Sequence, residues 1–422
     1  MFSILIEKEL KNIILGPKFV ATFAVCSLLI ILSVFIGIQD YKTAVKAYEA
    51  GTQLADQEMQ EKNSWMMMST RTYRKPEPKQ IFVSGINNDI GRFSQIRTTL
   101  PVKLTNSNYS DDPIFAVFRF IDLSFIFQIV LSLFAILFTY DAINGERERG
   151  TLRLTFANSV PRAKYILAKF TGSWLGLIVP ILIPILIGLL LVVLYKIPLT
   201  AAHWGAILTF LGISLLYFTF FIAFGIFVSA LTKRSVVSFL VLLVTWVFAV
   251  LIIPRVGVMA AGKIAPVPST AEIEAQIDGF SKDRWDKYHT YLEEIWLKRE
   301  AEMEGLTAEE REAYRDDHLW DWMEESDKER KAVQTDVNEF SRKLHEDLRN
   351  RKVVQQRLAY TLSRFSPASD YQLAVMNLAE TDINLKSRYE SDMENYHKSF
   401  VDYTEKKQAE SGDDVGGIRI TF

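Results

Sequence analysis

Cysteine is almost absent from this 422-residue chain: Cys26 stands alone, inside an apolar run, so no disulfide can close within the chain. A basic surplus is missing too. Lys and Arg number 48 against 50 Asp and Glu, and a net charge of −2 falls short of the phosphate neutralisation that nucleic acid demands. The chain has no G-x-x-x-x-G-K-[S/T] loop and hence no P-loop nucleotide site, and no H-E-x-x-H, C-x-x-C or G-x-S-x-G motif. Its five histidines, His203, His289, His318, His345 and His397, are scattered. A sequence of this kind predicts no catalytic residue, no metal site and no cofactor of its own.

What is present is segregation. Apolar residues make up 49% of the chain, yet mean hydropathy is only +0.10. Ile178–Tyr195 carries no charge, whereas nearly every turn of Ala271–Gln408 carries several. Blocks of this sort serve two solvents, and the fold class expected is an all-α membrane protein. It consists of a polytopic helix bundle with a large extracytoplasmic helical domain and minor β pieces.

Five runs can cross a hydrocarbon core of about 30 Å: 19–38, 114–140, 166–195, 204–231 and 236–253. Helices are expected there, because an open strand would leave backbone groups unpaired in lipid. The first run is too long for a cleaved leader and reads as an anchor. Residues 1–18, with Ile4, Leu5, Leu10, Ile13 and Ile14 among charges, read as an amphipathic helix at the membrane surface, and Gly16-Pro17 as the turn into lipid. Pro180 and Pro184 are expected to kink the third run and act as a hinge. Lys8, Lys11 and Lys18, the arginines at 147–162 with Lys164, and Lys233-Arg234 all fall on one side of a five-crossing chain, while the loop at 196–203 is nearly uncharged. The positive-inside rule then gives this multi-pass protein a cytoplasmic N-terminus, and the cell (inner) membrane is its expected location. Segments 39–113 and 254–422 follow as extracytoplasmic.

In the first of these segments the pattern predicts a helix over 41–67 and short extended pieces at 80–85 and 102–104. In the second, Val333, Val337, Phe340, Leu344 and Leu348 form an amphipathic stripe in a run without Pro or Gly from about Thr307 to Phe365. A break near 316–322 is one option. Residues 382–409 read as a further helix able to fold back on the long one.

Three groups invite a site. Asp316, Asp317, His318 and Asp321 crowd one and a half helical turns, but Arg315 and Lys328 beside them favour a solvated face over a metal site. Met66, Met67 and Met68 are soft ligands suited to copper(I), yet consecutive side chains diverge around a helix, and packing is favoured. Arg119 and Asp122 form a candidate membrane polar pair, either functional or a snorkelling couple.

The segment 141–165 carries more information. It holds Glu146-Arg147-Glu148-Arg149-Gly150-Thr151-Leu152-Arg153-Leu154, then Asn158-Ser159-Val160-Pro161-Arg162, then Ala168-Lys169-Phe170 entering the next crossing. On charge alone this is a set of topogenic anchors, or a compact knob offered to a cytoplasmic partner. The stretch resembles the permease subunits of ABC-2 type exporters. It is most similar to the branch with large extracytoplasmic insertions that includes relatives of the nitrous-oxide-reductase maturation permease. Ile253-Pro254-Arg255-Val256-Gly257, Pro266-Val267-Pro268-Ser269 and Ser366-Pro367-Ala368 extend the likeness.

The resemblance implies that residues 141–165 are a coupling segment docking into a separate cytoplasmic ABC ATPase. Glu146, Glu148, Gly150 and Thr151 would be contacts, and Arg147, Arg149 and Arg153 would pair with carboxylates or lipid phosphates. It implies ATP and Mg on a dimeric partner ATPase, a second permease protomer (identical or paralogous), and a sixth crossing beyond the extracytoplasmic domain. That domain would gate the exit or hold an extracytoplasmic protein partner. The alternative of another class is a membrane-anchored receptor or scaffold with a helical partner-binding head. An ion-driven secondary transporter is disfavoured by the scarcity of charge at the middle of each crossing.

Overall fold

A computed structural model describes residues 2–61, 68–88, 90–97, 104–105, 122–157 and 160–410. It is an all-α membrane fold with little sheet. Among the described residues, five helices are long and apolar enough to cross a membrane: Pro17–Gln60, Leu123–Glu148, Arg162–Leu194, Ala201–Leu231 and Ser235–Ile264, named here the first to fifth spans. Each buries only part of its apolar window, and Leu186, Leu190, Leu194, Leu208 and Leu216 stand exposed along them. A helix that presents such side chains outward all along its length is built for lipid or for other membrane helices.

Two compact units divide the chain: residues 1–253 together with 366–422, and residues 254–365. The core of the first unit lies among the spans, around Phe127, Leu131, Ile136, Phe221, Ile222 and Leu242. Small residues let helices approach there. A Cβ on Gly225 would stand 1.9 Å from Thr139 Oγ1, so the Thr139 side chain of the second span packs directly on the fourth span's backbone at this glycine.

The first span departs from expectation. Residues 17–60 form one helix of 44 residues, about 66 Å long, with no break at 39–40 between the apolar run and the polar helix beyond it. Ile38-Gln39-Asp40-Tyr41 contains no Pro or cap residue pair to stop it, so the hydrogen-bond ladder simply continues. The three-stranded antiparallel sheet, in order β1 (Ser69–Tyr73), β2 (Phe93–Arg97), β3 (Leu104–Thr105), pairs Ser69 with Arg97 and Phe93 with Thr105. The expected extended piece at 80–85 is instead a 3₁₀ turn, Pro78–Ile81, followed by Gly85 at φ +50°. Proline starts such a turn and a left-handed glycine ends it, which suits a reversal and not a strand.

The second span begins at Asp122, whose carboxylate caps it: Oδ1 accepts from Phe125 N and Ser124 Oγ, both at 2.8 Å. Residues 126–131 then form a π-helical turn, and 247–252 of the fifth span form another. Both touch the short helix Pro367–Leu378, whose Ala368, Tyr371 and Val375 are buried in the bundle core. Gln128 Nε2 donates to the Ala368 carbonyl at 3.1 Å, and the Tyr371 ring stacks on Tyr217 at 4.6 Å. The stretch expected to be one domain, 254–422, is thus split by an apolar helix that belongs with the spans. Leu385–Glu410 also stays with that unit. It lies on the sheet, where Thr72 Oγ1 donates to Met393 Sδ at 2.7 Å.

The second unit is a helical hairpin. Ser269 and Glu272 form a capping box at the start of Thr270–Glu302, and Thr307 and Glu310 form another at the start of Ala308–Ser363. The latter is unbroken for 56 residues, about 84 Å, so the break considered at 316–322 does not occur. Phe280 stacks on Phe340 at 4.2 Å and Arg284 pairs with Asp336, fixing an antiparallel register. Gly305 at φ +99° makes the turn.

Because the second and fourth spans meet at Gly225, Gly225→Ala should lower the stability of the detergent-purified protein by about 1–3 kcal/mol. Adding Thr139→Ala should recover part of that loss, both read as shifts in the thermal unfolding midpoint.

Candidate functional site

The segment 141–157 starts within the last residues of the second span and continues past its end. Asn144–Glu148 is a short helix ended by Gly150 at φ +75°, with no atom within 4 Å of where its Cβ would be. Glycine is needed there for the left-handed backbone, not for space. Thr151–Ala157 is a second short helix without a buried residue, held to the first by Thr151 Oγ1 donating to the Glu146 carbonyl at 3.2 Å.

Glu146 is the pivot, and it points inward, with its side chain 6% exposed. Its Oε1 accepts from Lys8 Nζ at 3.1 Å and Lys169 Nζ at 3.0 Å, and its Oε2 from Tyr165 OH at 2.7 Å. Lys169 also donates to Glu9 Oε2 at 2.5 Å. Two carboxylates and two ammonium groups therefore meet from three elements: the N-terminal helix Phe2–Ile14, the turn, and the start of the third span. Glycines seat the N-terminal helix. A Cβ on Gly172 would lie 2.6 Å from the Glu9 Cβ, and one on Gly176 would lie 3.3 Å from Ile13. Burial raises the Glu9 carboxyl above its ordinary value, with the Lys169 ammonium opposing it.

A second set of bonds ties the turn to the loop between the fourth and fifth spans. Ser229 Oγ accepts from the Ile143 and Asn144 amides at 3.0 and 3.3 Å. Asn144 Nδ2 donates to Thr232 Oγ1 at 2.9 Å, and its Oδ1 accepts from Ser235 Oγ at 3.1 Å. Arg147 donates to the Thr232 carbonyl at 3.0 Å, and Glu148 accepts from both the amide and hydroxyl of Ser235 at 2.9 Å. Glu148 thereby caps the fifth span.

The residues expected to act together thus divide. Glu146, expected at a partner's surface, is enclosed by this chain's own lysines, because a carboxylate beside two ammonium groups and a phenol is more favourably placed there than in water. Arg147, Glu148, Arg149, Gly150, Thr151, Arg153 and Leu154 are exposed. Pro180 and Pro184 lie inside the continuous third span. Of the candidate polar pair, Arg119 lies outside the described residues, and Asp122 is engaged by Ser84, Ser124 and Phe125. Met66 and Met67 lie outside them too, while Met68 is buried. No group of three His, Cys, Asp or Glu side chains able to hold a metal occurs among the described residues. His318 stacks on Tyr314 at 4.2 Å, with Asp317 Oδ2 3.8 Å from its Nδ1.

Glu9, Lys169, Tyr165, Asn144 and Ser235 were missed by sequence reasoning. The available signal was a lone lysine in the apolar third run and a glutamate on the Leu5–Ile13 face of the N-terminal helix.

Bundle, buried charge cluster and exposed turn define a multi-pass membrane protein with a polar joint at one end of its spans. Residues 3–399 match the ABC-2 family transporter proteins, and the chain belongs to that family. It is a permease subunit of an ABC transporter, and membership implies an ATPase subunit as partner. No curated protein matches the chain.

Removing one partner of a buried charge set costs more than the set contributes. Lys169→Met should therefore destabilise the protein by about 3–5 kcal/mol. Combining it with Glu146→Gln and Glu9→Gln should restore much of the loss in a thermal unfolding assay.

Proposed function

We propose that this permease drives export, or mechanical work across the membrane, by receiving force at its exposed turn from a cytoplasmic ATPase dimer. ATP and Mg bind on that partner. The buried cluster of Glu146, Lys169 and Glu9 is the observation that carries the reading. A turn that is pushed transmits displacement only if its root is fixed, and here the root is fixed to the N-terminal helix and the third span by paired charges. The Asn144 and Glu148 bonds fix it to the fifth span as well. A push on residues 147–155 then moves the membrane helices, not the loop alone.

In this reading the N-terminus and the turn lie in the cytoplasm, and the protein sits in the cell's inner membrane. This is supported by the Lys and Arg content of the three segments that share a side. Arg147, Arg149 and Arg153 supply cations for ATPase carboxylates or lipid phosphates, and Leu154, 68% exposed, supplies an apolar contact at the centre of the patch. Pro180 and Pro184 lower the cost of bending the third span, since each removes one ladder hydrogen bond. A second permease protomer, identical or paralogous, completes the complex against the lipid-facing sides of the spans. In this reading the hairpin is extracytoplasmic and acts beside the exit, as the resemblance to the branch with large extracytoplasmic insertions implies.

The test separates docking from folding by changing only exposed side chains. The variant Arg149→Ala, Arg153→Ala, Leu154→Ala should purify normally yet lose at least about tenfold of the permease-stimulated ATPase activity of the co-purified complex. Normal stimulation and normal co-purification would remove the turn from the coupling path.

A further inference from the structure

The half of the hairpin nearer its turn has a composition unlike the rest of the chain. Residues 308–329 hold ten Asp and Glu against three Lys and Arg, in a protein that is otherwise close to neutral. On the same stretch Trp320 is 77% exposed, Met323 53% and Leu319 46%. At i, i+1 and i+4 these three side chains share one flank of the helix. Trp320, Met323, Glu324, Asp327 and Arg330 line a groove of about 410 Å³ together with Tyr288 of the facing helix.

A row of aromatic rings lies on a different face of the same helix. Tyr314, His318 and Trp322 stack in series, and the Arg299 guanidinium lies 4.7 Å over the Trp322 ring. Arg299 in turn pairs with Glu325 at 2.8 Å, and Tyr288 donates to the Ser326 carbonyl at 3.2 Å. A large exposed indole beside a methionine that adapts to many shapes is the make-up of a binding surface.

Charge selects the occupant. Asp327 is neutralised by Arg330 at 2.5 Å and Lys331 at 2.7 Å. Asp316, Asp321 and Glu324 make no ion pair among the described residues. Asp317 and Asp321 stand at i, i+4, and Asp321 and Glu324 at i, i+3, so like charges repel along one helix and a cationic ligand relieves them. A second copy of the same surface would add to that repulsion, and so would an anionic lipid surface.

We propose that this flank of the hairpin docks a cationic amphipathic peptide segment, its apolar face on Leu319, Trp320 and Met323 and its lysines or arginines over Asp316, Asp321 and Glu324. The inference stands apart from the coupling reading, since it uses only residues of the 254–365 unit.

The full chain, embedded in phosphatidylcholine nanodiscs, is exposed to a helical lysine–leucine amphipathic peptide with a photoreactive group on its apolar face, and adducts are mapped by mass spectrometry. Adducts should concentrate on Tyr288 and residues 319–330. They should fall at least about tenfold in a Trp320→Ala, Met323→Ser variant that keeps its circular dichroism spectrum. Asp321→Asn with Glu324→Gln should weaken capture and flatten its dependence on salt. Equal capture of the matching glutamate–leucine peptide, adducts spread along the spans, or capture indifferent to the Trp320 variant would overturn the proposal. So would Trp320-dependent binding of added phosphatidylcholine vesicles without peptide capture, which would assign the surface to lipid.

Discussion

Lys169 holds this end of the molecule together. Its ammonium sits between Glu9 and Glu146 with the charged ends of all three nearly removed from solvent. An ion brought out of water loses several kcal/mol of hydration, recovered only when opposite charges and hydrogen bonds surround it closely. That condition is strict about geometry. It requires the N-terminal helix to lie along the third span, which Gly172 and Gly176 permit, and the turn after the second span to fold inward, which the Tyr165 hydroxyl completes. Three segments far apart in sequence are thereby held in one register.

The exposed turn gains its meaning from that anchorage. Residues 147–155 would otherwise be a short charged loop able to yield under load. Glu146 fixes one side of its root, while Asn144 and Glu148 fix the other to Ser235 at the start of the fifth span. Force applied to such a loop is divided among the second, third and fifth spans and the N-terminal helix. In the proposed permease this is how nucleotide chemistry on one polypeptide becomes movement of helices in another. Further along, the π-helical turns at 126–131 and 247–252 meet the short helix Pro367–Leu378. Each π turn inserts an extra residue into its helix, and both lie where that short helix is seated.

Much of the architecture was legible in the sequence because two solvents select two compositions. The apolar runs, the charge-rich hairpin and the basic turn all announced themselves, and Glu146–Arg153 stood out as a unit. The direction of Glu146 did not. Nothing in its immediate sequence distinguishes it from Glu148, and the more distant Lys8, Tyr165 and Lys169 turn it inward. Lys169 figured only in the Ala168-Lys169-Phe170 stretch entering the third crossing, with no role of its own, and Glu9 as one more charge on an amphipathic helix. The continuity of residues 17–60 was missed for a related reason: a change of solvent was read as a change of element, whereas a helix ends only where its hydrogen bonds do. Residues 366–378 were assigned to the polar domain around them, although their own apolar pattern, Ala368, Tyr371 and Val375, already pointed to a core.

Hydrogen–deuterium exchange on the permease, alone and in complex with its ATPase, tests the central claim most directly. The account predicts strong protection of amides 147–157 on complex formation, while the Glu146-anchored root at 143–146 is slow to exchange in both states. Exchange at 147–157 that is the same with and without the ATPase, or a root that exchanges as fast as the exposed turn, would contradict it.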